Sequence, residues 1–344
     1  MSARPHLVLV GGFLGAGKTT LILAAARELA ARGLRSAAVM NDQGDDLVDT
    51  QHVRTAGIDA REVTGGCFCC RFSELVDRAE ELREHEPVVI FAEPVGSCTD
   101  ISATTLQPLL RDHSASFRLA PFTVLVDPER ARALLAQDAD EDLAFLFRKQ
   151  LDEADLICLT KSDIGDGGVT LPYHGARRVS AKTGQGVAAW LDEVLEGGLA
   201  VGSKTLDIDY DEYARAETAL AWMNLTFVFE PDAPVSAPMA IGPLMDRIDE
   251  RLSARGIAIV HLKILDDSGA GFLKAAICGN GAEPVIDGAL DASPAGRHEI
   301  RLNLRAKGPP EEVRHLVEAE VGRMRGPVRV ERMSCFRPGA PRRR

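Results

Sequence analysis

The sequence lacks a long apolar run and an excess of positive charge, and we expect no secretory leader. No stretch approaches the ~20 apolar residues that a membrane-spanning helix needs. The formal net charge is −11, whereas general binding to a nucleic-acid backbone depends on clustered Lys and Arg. The first apolar segment, residues 6–10, runs into a glycine-rich loop and not into a signal-peptide cleavage site. We therefore expect a cytoplasmic protein with neither a membrane partner nor a nucleic-acid partner.

Histidine-rich tracts are absent as well, but three of the seven cysteines fall within four positions. Thiols stay reduced in the cytoplasm, so this cluster indicates metal binding or catalysis and not disulfides. Cys67, Cys69 and Cys70 can converge on one soft or borderline ion, such as Zn²⁺, Cu(I) or Co²⁺. Three protein ligands leave a tetrahedral ion with one open position, for which Cys98 is a candidate. A closed structural zinc site and a redox cysteine pair are the alternatives.

Strands and helices alternate along the first ~200 residues, a pattern typical of a mostly parallel α/β sheet. The second half instead has strands flanking two helices, which predicts a smaller α+β domain. We expect a nucleotide-binding domain at residues 1–200, a polar linker at 201–219, the α+β domain at 220–338 and a basic tail at 339–344.

A phosphate-binding loop stands between the first predicted strand and helix. Residues 12–19 fit the pattern G-x-x-x-x-G-K-[ST], which predicts a P-loop NTPase fold. Its backbone N–H groups and the dipole of the following helix bind anionic phosphate. We expect Lys18 to reach the β- and γ-phosphates and the Thr19 hydroxyl to bind Mg²⁺. The candidate phosphate-binding residues are Gly12, Gly15, Ala16, Gly17, Lys18, Thr19 and Thr20.

Two later segments favour guanine over adenine. Residues 160–163 read Thr-Lys-Ser-Asp and resemble the N-K-x-D element of GTPases, with Thr in place of Asn. The carboxylate of Asp163 can accept from both N1–H and the exocyclic amine of guanine, a pair that adenine does not offer. Residues 180–182 resemble the S-A-K loop, which leaves an ATP-dependent small-molecule kinase as the weaker alternative. The candidate base-binding residues are Thr160, Lys161, Asp163, Ser180, Ala181 and Lys182.

Two further loops are candidate switch segments. Residues 93–96 read Glu-Pro-Val-Gly where many GTPases have D-x-x-G, so Gly96 is a candidate sensor of the γ-phosphate. Residues 41–46 read Asn-Asp-Gln-Gly-Asp-Asp, and Gln43 is a candidate for orienting the attacking water. We expect slow intrinsic hydrolysis of GTP, with Lys18, Thr19 and Glu93 as catalytic residues. The candidate Mg²⁺ ligands are Thr19, Glu93 and Asp42, with Asp46 as the alternative to Asp42.

In this order, the motifs G-G-F-L-G-A-G-K-T-T, G-G-C-F-C-C, E-P-V-G and T-K-S-D resemble the CobW-like GTPases of the SIMIBI class (the CobW/HypB/UreG type). The resemblance implies a GTP- and Mg²⁺-dependent metallochaperone or metal insertase for Zn²⁺ or Co²⁺. It also implies a client metalloprotein and a nucleotide-dependent homodimer, and it assigns the metal to Cys67, Cys69 and Cys70. The family's common E-N-E-F-G run is replaced here by residues 41–44, Asn-Asp-Gln-Gly. A zinc- and GTP-binding scaffold or metal sensor without turnover is the alternative.

Overall fold

A computed structural model describes residues 4–43, 48–165, 168–169, 171–173, 175–196 and 198–340. Contacts divide the chain into two units. The first contains the chain up to Gln43 together with Asp49–Glu217, and the second contains Val48 and Thr218–Gly339. The candidate ligand Asp46 and residues 341–344 of the expected tail lie outside the described residues. None of the described helices is long and apolar enough to cross a bilayer.

The first unit is built on one sheet with helices between its strands. The strands are β1 (His6–Gly12), β2 (Ser36–Asn41), β3 (Asp59–Val63), β4 (Val89–Glu93), β5 (Arg118–Leu119), β6 (Thr123–Val126), β7 (Leu156–Leu159) and β8 (Arg177–Arg178). The helices are α1 (Lys18–Ala31), α2 (Val48–Thr55), α3 (Phe72–Arg83), α4 (Gln107–Asp112), α5 (Pro128–Leu134), α6 (Glu141–Glu153), α7 (Val187–Leu195) and α8 (Tyr210–Thr218). A π-helical turn spans Ser102–Leu106, and a 3₁₀ turn spans Ser162–Ile164.

The strand order is β3-β2-β4-β1-β6-β7-β8, with β5 also paired to β1, and every described pair is parallel. The central strands β1 and β4 are mainly apolar, and all their residues except His6 are buried, as in parallel strands covered on both faces. This architecture confirms the expected P-loop NTPase fold with a mostly parallel sheet. Because all these strands run the same way, the loops that follow β1, β2, β4, β6 and β7 share one edge of the sheet.

The second unit has its own sheet and its own core. Its elements are β9 (Leu220–Phe229), α9 (Ala237–Ala254), β10 (Ala258–Asp267), β11 (Phe272–Ile277), β12 (Val285–Gly288), β13 (His298–Lys307), α10 (Pro310–Val321) and β14 (Val328–Phe336). The strand order is β12-β11-β10-β13-β9-β14, and each described pair is antiparallel. Helices α9 and α10 pack against each other and against the sheet. This unit confirms the expected smaller α+β fold.

The segment expected as a linker differs from that expectation, because it contains the helix α8. The Tyr213 hydroxyl accepts a hydrogen bond of 3.1 Å from the backbone N–H of Thr99. The Glu217 carboxylate accepts one of 2.8 Å from the Ser97 hydroxyl. Both side chains are buried against the first unit, which therefore extends to Glu217. The helix is not evident from the sequence, because two of its buried positions are occupied by Tyr and Glu and not by large aliphatic residues.

Helix α6 holds the chain that follows β4. The Gln150 amide donates to the backbone oxygens of Gly96 and Cys98, at 3.0 and 2.9 Å. One turn later, the Glu153 carboxylate accepts a 3.0 Å hydrogen bond from the backbone N–H of Ser102. Burial raises the pKa of Glu153 to about 8, and the negative charge of Asp100 adds to this shift. The Glu153 carboxyl is therefore predominantly neutral in the folded protein near pH 7.

We expect Glu153→Gln to remove part of the pH dependence of stability. The pKa of the carboxyl rises from 4.5 to about 8 on folding, so unfolding releases a proton between these values. The free energy of unfolding therefore falls as pH rises from about 4.5 to about 8, by at most about 1.4 kcal/mol per pH unit. An amide does not ionise, so the variant lacks this slope. Urea denaturation near pH 5 and pH 8 measures the difference.

The matched control is Glu141→Gln, at the exposed start of the same helix. This variant should keep the pH slope of the unsubstituted protein. If Glu153→Gln keeps the same slope as well, the Glu153 carboxyl is ionised in the folded state and the prediction is wrong.

Candidate functional site

The loop between β1 and α1 has the geometry of a phosphate cradle. Gly12 and Gly17 adopt φ values of 132° and 90°, in the region that favours glycine. A Cβ at Gly12 would lie 2.5 Å from the backbone oxygen of Leu125 on β6. The Lys18 ammonium donates to the backbone oxygen of Gly12 at 2.9 Å. The Lys18 side chain therefore folds back over the loop. The N-terminus of α1 adds a partial positive charge at the same place, which favours the binding of phosphate.

The predicted Mg²⁺ ligands Thr19 and Glu93 lie together. The Thr19 hydroxyl donates to both carboxylate oxygens of Glu93, at 2.9 and 3.2 Å, and both side chains are buried. A hydroxyl and a carboxylate are the oxygen donors that Mg²⁺ binds, so this pair fits the ion. Asp42 follows β2, and its backbone N–H donates to Val63 at 3.3 Å. A place for Asp42 among the Mg²⁺ ligands stays a prediction.

The loop after β4 runs directly against the phosphate cradle. A Cβ at Gly96 would lie 2.9 Å from the Lys18 Nζ and 2.9 Å from the Leu14 side chain. Only a glycine therefore fits at this position without a shift of its neighbours. Gly96 therefore lies beside the phosphate cradle, and its role as a sensor of the terminal phosphate stays a prediction.

The candidate base-binding residues come together after β7. The Asp163 carboxylate is exposed and accepts a 2.7 Å hydrogen bond from the Ser180 hydroxyl, which lowers the pKa of Asp163. The Lys161 ammonium donates to the buried carboxylate of Asp127 at 2.6 Å. The Thr160 hydroxyl donates to Val126 of β6 at 3.2 Å. Sequence reasoning missed Asp127, although its position directly after β6 at the same sheet edge was a signal.

The remaining candidates lie beside these groups. Gly15 has a φ of 83°, in the glycine-favouring region, and Ala16 is buried in the phosphate loop. Thr20 is exposed in the first turn of α1. Ala181 and Lys182 follow Ser180 directly, and Lys182 is exposed.

The loop that carries the cysteines is fixed by the side chain of Asn41, the last residue of β2. Its amide nitrogen donates to the backbone oxygens of Val63 and Gly66, both at 2.8 Å. Its amide oxygen accepts from the backbone N–H of Phe68 at 2.9 Å. Asn41 is buried, and each of these bonds replaces one that it would make with water. The end of β2 is therefore tied directly to the cysteine loop.

The three cysteine thiols converge as the sequence predicts. Among the described residues, Cys67, Cys69 and Cys70 form the one group of three or more metal-binding side chains whose ligand atoms lie within 4.8 Å of one another. The Cys67 and Cys70 sulfurs are 3.5 Å apart, and those of Cys69 and Cys70 are 3.8 Å apart. Cys67 and Cys69 are buried, whereas Cys70 is exposed. This donor set fits a thiophilic ion such as Zn²⁺.

The thiols titrate as a coupled group. Contacts with the Cys69, Cys70 and Cys98 thiols lower the pKa of Cys67 well below its usual range. The contact with Cys67 is the largest cause that raises the pKa of Cys69. The proximity of the thiols thus favours the thiolate of Cys67 and disfavours that of Cys69.

The buried Glu217 carboxylate binds a residue of the switch segment after β2 and the residue that directly follows the switch segment after β4. Glu217 accepts from the Gln43 amide at 2.9 Å and from the Ser97 hydroxyl at 2.8 Å, both on the same oxygen. Its other oxygen has no hydrogen-bond partner among the described residues. Burial raises the pKa of Glu217 to about 7, and the Cys67 charge adds to this shift. The Gln43 amide thus binds this carboxylate, and no local pattern in the sequence marks the contact.

The first half of the chain matches a known family model and several curated proteins. Residues 6–173 match the model of the CobW/HypB/UreG nucleotide-binding domain. The chain is 30% identical over 182 residues to a zinc chaperone CobW of a Sinorhizobium species, covering 46% of this chain and 51% of that protein. It is 30% identical over 167 residues to the zinc chaperone YjiA of Escherichia coli, covering 46% and 49%. The chain thus matches about half the length of these curated relatives.

Solved structures of similar proteins include Zn(II)-bound YjiA GTPase from E. coli, at 17% identity, with 92% of this chain and 99% of that chain covered and a TM-score of 0.36. Another is HypB from Helicobacter pylori in complex with nickel, at 16% identity, with 56% and 86% covered and a TM-score of 0.40. These scores are too low to support a functional assignment.

We expect Asn41→Asp to weaken Zn²⁺ binding about 10- to 100-fold, as the loss of a group that orients metal ligands typically does. The new carboxylate would face the backbone oxygens of Val63 and Gly66, to which the amide now donates. Repulsion between the carboxylate and these oxygens should break the hydrogen bonds that hold the cysteine loop in place. A competitive chelator titration of the reduced protein measures the change.

Asn280→Asp is the matched control, since the Asn280 amide also donates to a backbone oxygen, that of Ile257, but in the second unit. It should leave zinc affinity unchanged. Equal affinities of Asn41→Asp and the unsubstituted protein would contradict the anchoring role of Asn41.

Proposed function

We propose that this chain, whose residues 6–173 form a nucleotide-binding domain of the CobW/HypB/UreG family, is a GTP-hydrolysing metallochaperone that carries zinc to a client protein. One observation carries the proposal most directly. The loop that follows β4 begins at Glu93, which contacts Thr19, and passes Gly96, which lies against Lys18. Strand β4 pairs with β2, and Asn41, the last residue of β2, binds the cysteine loop at Gly66 and Phe68. The phosphate cradle and the metal ligands are therefore linked through two neighbouring strands.

Guanine is the base that the site supports best. The exposed Asp163 carboxylate is oriented by Ser180, and it can accept both donors of the guanine edge. The Lys161 ammonium is held by Asp127, which keeps the lysine stem at the mouth of the site. These contacts favour GTP over ATP and make the kinase alternative weaker.

Hydrolysis would use the residues of the phosphate cradle. Lys18 would neutralise charge on the β- and γ-phosphates, and the backbone N–H groups of the loop would orient them. Thr19 and Glu93 would hold Mg²⁺, which supplies further positive charge to the phosphates. The Gln43 amide nitrogen donates to Glu217. In this arrangement the amide nitrogen is engaged by the carboxylate and not by an attacking water. We accordingly expect slow hydrolysis by the protein alone.

The cargo would be a zinc ion held by Cys67, Cys69 and Cys70. Asn41 ties this loop to the end of β2, and Glu217 receives hydrogen bonds from the segments after β2 and after β4. Nucleotide-dependent movement of either segment would thus alter the positions of the thiolates. The relatives named as zinc chaperones support zinc as the metal, with Co²⁺ as the alternative.

The second unit would recognise the client. Among the described residues it holds no group of metal-binding side chains comparable to the cysteine cluster, and its sheet and two helices form an independent core. A nucleotide-dependent homodimer and a cytoplasmic location belong to the same proposal, on the family resemblance alone.

We expect Asp163→Asn to lower affinity for GTP by on the order of 100-fold and to raise affinity for xanthosine triphosphate. The carboxylate accepts from two guanine donors, whereas an amide accepts from one of them and can donate to the carbonyl that xanthine has instead of the amine. Competition between labelled GDP and GTP, XTP or ATP measures the switch.

Asp138→Asn, at an exposed position on the same unit, serves as the control and should leave nucleotide preference unchanged. If Asp163→Asn binds GTP as the unsubstituted protein does, the base is not read by this carboxylate.

The coupling itself is tested by measuring Zn²⁺ affinity of the reduced protein in its apo, GDP and non-hydrolysable GTP forms. Coupling is reciprocal, so a metal site that responds to the nucleotide should show affinities that differ about 5- to 150-fold. The difference should vanish in Lys18→Ala, and zinc binding itself should weaken in Cys69→Ala. Cys335→Ala, a half-buried cysteine outside the cluster, should behave as the unsubstituted protein.

Equal affinities in all three nucleotide forms would indicate a structural zinc ion and would favour the scaffold or sensor over the chaperone. Retention of the nucleotide-dependent difference in Lys18→Ala would show that the phosphate cradle does not transmit the signal.

A further inference from the structure

A cavity of about 510 Å³ lies in the first unit, beside the residues that lead into β2 and β3. The second half of α1 and the segment before β4 complete its wall. Small-molecule sites commonly have volumes of about 300–1,000 Å³. Because these strands are parallel, their amino ends share one edge of the sheet, and the phosphate cradle lies at the opposite edge. The cavity is therefore separate from the nucleotide and cysteine loops.

The wall of the cavity is mostly apolar. Leu34 lies on it with 36% of its surface exposed, whereas Ala37 on β2 is buried. An apolar group that enters the cavity removes such surface from water, which favours binding. The apolar residues of the wall include Leu23, Ala26, Leu34, Ala56, Ile58 and Pro87.

A guanidinium group without a partner lies in this wall. Among the described residues, the Arg27 side chain makes no hydrogen bond and no ion pair. The carboxylate of the wall, that of Asp59, is already bound by both Arg61 and His85. The positive charge of Arg27 is therefore available to an anion, and the negative charge of Asp59 is compensated within the protein.

Ser36, the first residue of β2, adds a hydroxyl to the same wall. The residue is half-buried, and its hydroxyl has no hydrogen-bond partner in the part of the chain that the structure describes. Arg35 precedes it and lies 3.6 Å from Glu86, but both side chains are well exposed, so this ion pair is weak. The polar part of the wall thus offers hydrogen-bond donors. An ionised carboxylate, which only accepts hydrogen bonds, is complementary to it.

We propose that this cavity binds a small carboxylate ligand with an apolar chain or ring. The carboxylate accepts hydrogen bonds from the Arg27 guanidinium and the Ser36 hydroxyl, and the apolar part packs against the apolar wall. A carboxylate matches the wall better than a phosphate monoester does, because one unpaired guanidinium neutralises one charge and a phosphate monoester carries close to two.

The proposed ligand leaves the phosphate cradle open. Arg27 and Lys18 both lie on α1, and at 1.5 Å per residue they are roughly 14 Å apart along the helix axis. The ligand and the nucleotide can therefore be bound at the same time. The site uses neither the nucleotide nor the cysteine thiols, so it goes beyond the function proposed above.

Isothermal titration calorimetry of the reduced full-length protein with octanoate, octanol and octylammonium tests the charge requirement. The three probes share an apolar chain and differ in the charge at one end. We expect saturable binding of one octanoate per chain, at least about 10-fold tighter than octanol, because hydrogen bonds to a charged group add to the burial of the chain. Octylammonium should bind more weakly than octanol. Saturating GDP and Mg²⁺ should leave the octanoate affinity unchanged.

Three variants separate the charge from the volume of the cavity. Arg27→Gln should lower the affinity for octanoate about 10-fold and leave that for octanol unchanged. Arg148→Gln removes an exposed arginine of α6, outside the cavity, and should bind octanoate as the unsubstituted protein does. Ala30→Phe places a ring in the cavity from an exposed position of α1 and should weaken octanoate and octanol alike. Circular dichroism establishes that each variant is folded.

Equal affinities for octanoate and octanol would overturn the proposal, and so would an absence of saturable octanoate binding. An unchanged octanoate affinity in Arg27→Gln would also contradict it. Displacement of octanoate by GDP would show that the probe occupies the nucleotide site instead. These results are independent of the zinc-carrying function, because they measure neither zinc affinity nor its dependence on the nucleotide.

Discussion

The parallel pairing of β2, β4 and β1 is the constraint on which the rest of the site depends. Parallel strands send their carboxyl ends to one edge, and here Met40 of β2 pairs with Glu93 of β4. The loops after these strands carry the two candidate switch segments, and the loop after β1 is the phosphate cradle. The cysteine loop follows β3, the neighbour of β2. Nucleotide and metal chemistry thus meet at one edge, as ligand sites of open parallel sheets commonly do.

Buried polar side chains then determine how these loops are arranged. Asn41, Gln150 and Glu217 are each buried and each bind two or more groups on loops that carry functional residues. A buried polar group without a partner costs about 1–3 kcal/mol, so alternative loop positions that break these bonds are disfavoured. One oxygen of the Glu217 carboxylate has no hydrogen-bond partner among the described residues. Buried hydrogen bonds of this kind favour one arrangement of the loops. A change of charge nearby can change which arrangement is favoured.

Sequence reasoning identified the parts of the site that are contiguous in the chain. The phosphate loop, the cysteine motif and the fold of both halves follow from spacing and periodicity over short segments. Ser97 and Glu217, by contrast, are separated by 120 positions, and no local pattern marks such a pair. The segment that contains α8 has the sequence pattern of a linker for the same reason, because its buried Tyr213 and Glu217 have partners elsewhere in the unit. Hydrogen bonds between polar residues that are far apart in the chain therefore cannot be predicted from a single sequence.

The anchoring of the cysteine loop gives the proposed coupling a structural route. Asn41 ends β2 and binds the loop that carries Cys67 and Cys69, whereas the loop after the neighbouring strand β4 approaches Lys18 through Gly96. A nucleotide-dependent shift of either loop would therefore change the positions of the thiolates. Linkage requires that the nucleotide state that favours their convergence then bind zinc more tightly. Release would follow in the other state, in which the exposed Cys70 would hold the ion in reach of a receiving protein.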